Sequence, residues 1–184
     1  MRPGVGLNHV EPLLSGVQEE DLDGNSSRKI ELQVTTPGEV EIHTEREFDA
    51  PRNFVWRAHL EAELLSRWWG RGNPLSIDRL EPHSGGHWQF TEQHEGGSAT
   101  FSGRFREITP ESRIVQTFGW EGMRGHEIVN DTTFEDLPEG RTKIQTTSQF
   151  HTREERDGML DAGMPQGQSL SYQALDQVLE SMKQ

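Results

Sequence analysis

Across residues 165–182, Leu170, Ala174, Leu175, Val178, Leu179 and Met182, together with Gly167, recur at helical spacing. A helix with one apolar stripe must bury it, so the rest of the chain has to supply a matching surface. The material for that surface is lean, because hydrophobic residues make up 30% of the 184-residue chain. The 5 Trp and 8 Phe offset this, since each ring buries far more area than an aliphatic side chain. The core is therefore expected to be concentrated and aromatic.

Upstream of the stripe, alternation sets the elements. Val40, Ile42, Thr44, Arg46 and Phe48 fall on one parity against Glu41, His43, Glu45 and Glu47, which predicts a half-buried strand. Asp49-Ala50-Pro51 opens a helix over 52–59, and a second short helix over 62–69 stops at Gly70. Strands are predicted at 75–79, 87–94, 99–108, 113–121, 126–135 and 141–150. Turn residues between them, such as Gly85-Gly86 and Pro138-Glu139-Gly140, make the run an antiparallel meander. Gly85-Gly86 leads into a strand and so reads as a turn, not as a phosphate cradle. Thr152, with Glu155 three residues on, caps a helix over 152–160 ahead of the long one.

Residues 1–38 differ in composition. Leu13 and Leu14 could begin a short helix, Gln18 to Arg28 is acidic and then Gly/Asn/Ser-rich, and Ile30, Leu32 and Val34 could form an extra strand. The expected organisation is a flexible leader over 1–38 and one domain over 39–184. No apolar segment marks the start as a secretory signal, so a cytoplasmic location is expected. The formal charge of -13 argues against a basic nucleic-acid surface and against docking on an anionic membrane. No apolar run approaches the roughly 20 residues that span a bilayer. There is no Cys, so disulfides and thiol chemistry are excluded. The 8 His have no spacing that forces three or four ligands together, so no metal and no cofactor is expected. No Gly-x-Ser-x-Gly elbow is present. If proton transfer occurs, the inward polar residues Arg46, Glu92, His94 and His126 are the candidates.

The order of elements and several strings together resemble the START-like, or helix-grip, superfamily. Within it, the chain is similar to homologues of the C-terminal domain of the activator of the ninety-kilodalton heat-shock protein ATPase. The strings are Arg46-Glu47-Phe48-Asp49-Ala50-Pro51, Val55-Trp56-Arg57-Ala58, Trp68-Trp69-Gly70, Gly85-Gly86-His87-Trp88, Phe101-Ser102-Gly103, Thr133-Phe134-Glu135-Asp136, and Arg156-Asp157-Gly158 to Gly163-Met164. The resemblance covers about residues 39–182. It implies an α+β fold in which a curved antiparallel sheet wraps a long C-terminal helix, with two short helices after the first strand. Pro82-His83-Ser84-Gly85-Gly86 departs from the family's Arg-Pro-Gly-Gly. Gly167-Gln168 stands where many members have Gly-Trp, so one usually aromatic wall is polar here.

The inward parities are aromatic but interleaved with Thr, Ser, Asn and Gln, which suits a cavity better than a dry core. Its expected lining is Trp69, Trp88, Phe90, Phe105, Phe118, Trp120, Met123, Phe134 and Met164, with Arg46, His126 and Gln168 as polar anchors. Trp68 and Trp69 either both plug the core or place one ring on the cavity. The leading function is non-catalytic binding of a small hydrophobic or aromatic molecule. The resemblance implies two further readings, a co-chaperone that contacts a heat-shock ATPase and an enzyme of the polyketide cyclase or hydrolase kind.

Overall fold

The computed structural model describes residues 30–184. The expectations for Leu13, Leu14 and the stretch from Gln18 to Arg28 lie outside the described residues. The strands are β1 Gln33–Thr35, β2 Glu41–Phe48, β3 Leu75–Leu80, β4 His87–His94, β5 Gly97–Thr109, β6 Arg113–Trp120, β7 Ile128–Leu137 and β8 Arg141–Gln149. The helices are α1 Arg52–Leu60, α2 Ala62–Leu65, α3 Arg153–Asp161 and α4 Met164–Ser181. All strands join one antiparallel 8-stranded sheet in the order β1-β2-β8-β7-β6-β5-β4-β3. This is the helix-grip architecture. The α1–α2 segment carries the chain from β2 to the far edge at β3, and the meander then returns until β8 pairs with β2. None of the described helices is long and apolar enough to cross a membrane.

β1 lies ahead of residue 39, the expected start of the domain. The alternation of Ile30, Leu32 and Val34 supplies it: Val34 pairs with Thr44 and Leu32 packs on the core. α2 is shorter than its expected span, because after Leu65 the chain winds through turns to Gly70 at φ 91°. Trp68 sits in that turn and plugs the helices to one another. Its Nε1 donates to the Ala58 carbonyl at 2.8 Å, and its ring lies 4.8 Å from His59 and 6.1 Å from Tyr172. Thr152 caps α3 as expected, its hydroxyl accepting from the Glu155 N–H at 3.2 Å. The buried Arg156 ties α3 to the start of β2, with Nη1 donating to the Gly38 carbonyl at 3.0 Å.

The main core runs from Val55, Ala58 and Leu65 through Phe48, Phe134 and Ile144 to Leu175, Val178 and Leu179. A smaller cluster of Ile42, Ile128 and Phe150 is packed by Met159, Leu160 and Met164 at the α3 end, and Phe118 touches both. Register shifts at Ile77/Arg79 and Phe105/Glu107 bend the β3–β6 half of the sheet. In the same half, Trp88 lies across Gly103, its cross-strand partner. A Cβ on Gly103 would fall 1.9 Å from the Thr117 carbonyl oxygen and 2.6 Å from Trp88 Nε1. Backbone and ring both block it. Gly103→Ala is therefore expected to destabilise the fold by about 2 kcal/mol, in the range of overpacked cores, and urea unfolding will measure it. An unchanged midpoint would show that the sheet relaxes at no cost.

His59 supplies a second test. Its ring is enclosed by Trp68 and by Phe134, 5.1 Å away edge to face, while Nδ1 lies 2.8 Å from the Val55 carbonyl oxygen. Burial pulls its pKa down to about 4, with the Val55 carbonyl acting in the opposite direction. The folded chain therefore resists a proton that the unfolded chain accepts near pH 6.5. Stability is complete above about pH 6.5 and is lost as pH falls towards 4. His59→Phe, which keeps a ring there, should flatten the decline of Tm across that interval. An equally steep decline would remove His59 as its cause.

Candidate functional site

Cross-strand pairing fixes which residues face α4. Ile42, Ser148, Asn130 and Gln116 form one transverse row, and Thr44, Thr146, Thr132 and Ile114 form the next. The face is the inner one, because α4 reaches it directly: Gln168 Nε2 donates to Thr44 Oγ1 at 3.2 Å. Yet Gln116, Phe118, Asn130, Thr132, Thr146 and Ser148 are half-buried, the same class as Val129, Asp131 and Thr133 on the outer face. The N-terminal half of α4 does not seal this part of the sheet. Its C-terminal half does, with Leu175, Val178 and Leu179 buried.

The unsealed gap has two unlike sides. One is a hydroxyl and amide belt. Thr132 and Thr146 share a hydrogen bond at 2.9 Å, Ser148 Oγ donates to Asn130 Oδ1 at 2.7 Å, and Gln168 Nε2 also donates to the Tyr172 hydroxyl at 3.3 Å. Burial pushes the Tyr172 phenol pKa up, opposed by the Gln168 hydrogen bond and by the charge of Arg46. The other side is a chain of rings. Trp69 meets Phe90 at 5.3 Å and Phe101 at 5.1 Å, Phe101 meets Phe118 at 5.6 Å, and Trp88 meets Phe90 at 4.8 Å and Phe118 at 6.0 Å. The tryptophan pair thus divides: Trp68 plugs the helices and Trp69 joins the ring wall.

Of the expected lining, Trp69, Trp88, Phe90 and Phe118 come together in this wall, and Gln168 faces them from the belt. Phe105 continues the row beyond Gln116 and, like Trp88 and Phe90, is buried. Met164 belongs to the smaller cluster beside the gap. Trp120 and Met123 stand at its rim, 44% and 40% exposed, where the chain makes a 3-10 turn over Glu121–Met123 and the Trp120 ring covers Gly122.

Three placements correct the expectation that each residue turns into the cavity. Phe134 packs away from the gap, against α1, with Trp56 and His59 each 5.1 Å from its ring. Arg46 is no free anchor: Asp176 takes Nη1 and Nη2 at 2.8 and 2.5 Å, and the guanidinium lies over the Phe48 ring at 4.5 Å. His126 is exposed and held outside by Glu155, its Nδ1 2.5 Å from Oε1. That bond is the largest of the causes holding the Glu155 carboxyl below its usual range, with the His151 backbone N–H also contributing.

His94 is likewise outside, accepting from the Gly96 N–H in the β4–β5 turn at 3.2 Å. The backbone N–H groups of Gly85 and Gly86 are spent on the carbonyls of Phe105 and His83, which leaves no cradle there. An open cleft of about 240 Å³ lies outside the gap, lined by Ile30, Arg46, Asp49, Asp176, Leu179 and Glu180. It is below the roughly 300 Å³ at which small-molecule sites begin. Among the described residues, no group of three or more His, Asp or Glu is arranged to hold a metal.

Sequence reasoning passed over Phe101, although its parity with Phe105 was visible, and the loop Gly70-Arg71-Gly72-Asn73. Gly167 makes room for that loop: a Cβ there would lie 2.9 Å from Arg71 Cδ, and the Arg71 N–H donates to Ser171 Oγ at 3.0 Å. Close approach of an arginine stem, not room for a ligand, accounts for a glycine inside α4.

Comparison with known proteins gives the same picture. A protein of Rhodobacter sphaeroides superposes with a TM-score of 0.75 at 24% identity, over 82% of this chain and 99% of its own. One from Arthrobacter aurescens gives 0.73 at 23% identity, over 81% and 91%. One from Nitrosomonas europaea gives 0.68 at 25% identity, over 80% and 99%. These are likenesses of fold. No curated protein matches the sequence. The family profile described as Activator of Hsp90 ATPase homolog 1-like protein matches residues 49–180, from the turn before α1 almost to the end of α4. With that match spanning well over half of the chain, and with the helix-grip sheet built as described, the chain belongs to the Activator of Hsp90 ATPase homolog 1-like family.

Proposed function

We propose that the protein is a non-catalytic carrier of one small, flat, largely apolar molecule, held between the N-terminal half of α4 and the sheet. The observation that supports this is the accessibility of the inner face. Phe118, Phe101 and Trp69 pack on the core yet stay only partly buried. Apolar surface of this kind gains about 25 cal/mol per Å² when a ligand covers it, before the costs of association. The belt opposite supplies hydrogen-bond partners for one polar end. Trp69 over Phe90 and Phe101 favours a ring that can stack or meet them edge-on. The cytoplasm is the compartment in which we expect this binding to occur.

The family description favours a second reading, contact with a heat-shock ATPase. A rise in the ATPase rate of such a chaperone on adding this protein would support it.

The test of the leading reading uses 2-methoxynaphthalene as probe and tryptophan emission as signal, since Trp69 and Trp88 are in the wall. Saturable quenching with a one-to-one endpoint is expected. Gln168→Trp, which puts a ring into the gap from α4, should weaken it at least tenfold. Absence of saturable binding, or equal affinity in the variant, would overturn the reading. Consumption of a bound ligand would favour an enzyme instead.

A further inference from the structure

The inner face carries one charged group whose hydrogen-bonding capacity is half used. Glu92 on β4 is 2% exposed. It lies two residues beyond Phe90 on the same face, paired with Ala99 on β5 and Leu75 on β3, and so stands at the edge of the ring wall. Arg71 Nη2 donates to its Oε1 at 2.7 Å, and Asn73 Nδ2 donates to the same oxygen at 2.5 Å. Oε2 receives no donor among the described residues. The sealed side-chain atoms without a partner among the described residues are Arg52 Nε and Trp88 Nε1. Oε2 is not one of these, so within the 2% exposure of the residue a small part of its surface stays accessible.

The loop that carries the two donors is held in place. Gly70, Arg71 and Gly72 have φ of 91°, 61° and 83°, three successive left-handed residues, and Arg71 is non-glycine. The loop is further fixed by the Arg71 N–H on Ser171 and by the Arg71 stem against Gly167. A carboxylate offers about four acceptor sites, and leaving a buried acceptor open is unfavourable. A ligand donor would relieve that.

We infer that Glu92 Oε2 is the acceptor for an uncharged hydroxyl or N–H on the bound molecule, which makes the ligand class a neutral phenol-like aromatic. The inference rests on binding in the gap as proposed above. Charge selects neutrality. Arg71 already balances Glu92, so a cationic ligand would bring a buried charge with no counter-ion, and an anionic one would meet the open carboxylate oxygen.

Three naphthalenes of one shape test it: 2-naphthol, 2-methoxynaphthalene and 2-naphthoate. The wild-type protein should bind 2-naphthol about tenfold or more tighter than the methyl ether, as expected for a hydrogen bond to a charged acceptor. Naphthoate should bind weakest. Glu92→Gln keeps an acceptor for Arg71 and Asn73 but places an amide on the open side, and should bring the naphthol and ether affinities together. The wild-type series alone decides the matter if that variant does not fold. Equal affinities for naphthol and ether would overturn the role of Glu92 while leaving gap binding intact, and tightest binding of naphthoate would overturn the charge argument. No saturable binding of any of the three would overturn gap binding and this inference together.

Discussion

Arg46 on β2 and Asp176 on α4 meet in a two-point fork, and the spacing between helix and sheet follows from it. A guanidinium held through both nitrogens has little angular freedom. Phe48 supports it 4.5 Å below, and Tyr172 flanks it at 5.9 Å. Such a pair sets register more than it adds stability, because removing a charge from water costs much of what the attraction returns. Its position divides α4. From Leu175 onward, that residue, Val178 and Leu179 close down on α1 and the sheet as a dry core. Toward the N-terminus, Gln168 reaches Thr44 only by its amide end, and the inner rows stay accessible.

Much of this was legible in the residues. The alternation in β2 named the inner face position by position, and the burial of Ile42, Thr44, Arg46 and Phe48 follows it. The stripe on α4 named the helix, and Thr152 with Glu155 named the cap of α3. Parity does not encode a partner, however. Asp176 lies 130 positions from Arg46, and no local pattern links them. His126 has the parity of its inward neighbours but precedes the start of β7 at Ile128, and Glu155 draws it outward. Trp120 and Met123 lie where the strand gives way to a turn, and alternation stops carrying information there. Phe134 does face inward, but the inner face is shared between α1 and α4, and a strand pattern cannot say which helix covers which residue.

The gap also shows why a lean chain can keep a stable core and an open site. Trp68 and Trp69 are adjacent yet serve different tasks, because the turn after α2 sends one ring toward α1 and α4 and the other toward β4 and β5. The polar belt needs no ligand to hold its shape, since Thr132 with Thr146 and Ser148 with Asn130 satisfy one another. Glu92 is the departure from that self-sufficiency, and it stands where the rings and the Arg71 loop meet.

The strand order has a kinetic consequence. From β3 to β8 each strand pairs with its sequence neighbour, so these six of the eight strands can assemble by short hairpin closures. β2 is different: its pairing with β8 joins residues such as Glu47 and Arg141, 94 positions apart. Loop-closure entropy places such a junction late unless the meander has already brought the ends together. The helix that defines the gap crosses this junction, gripping β2 through Arg46 and Thr44. The gap therefore becomes complete only with the slowest contact of the topology, and a nascent chain would expose its aromatic wall until the final strand has docked.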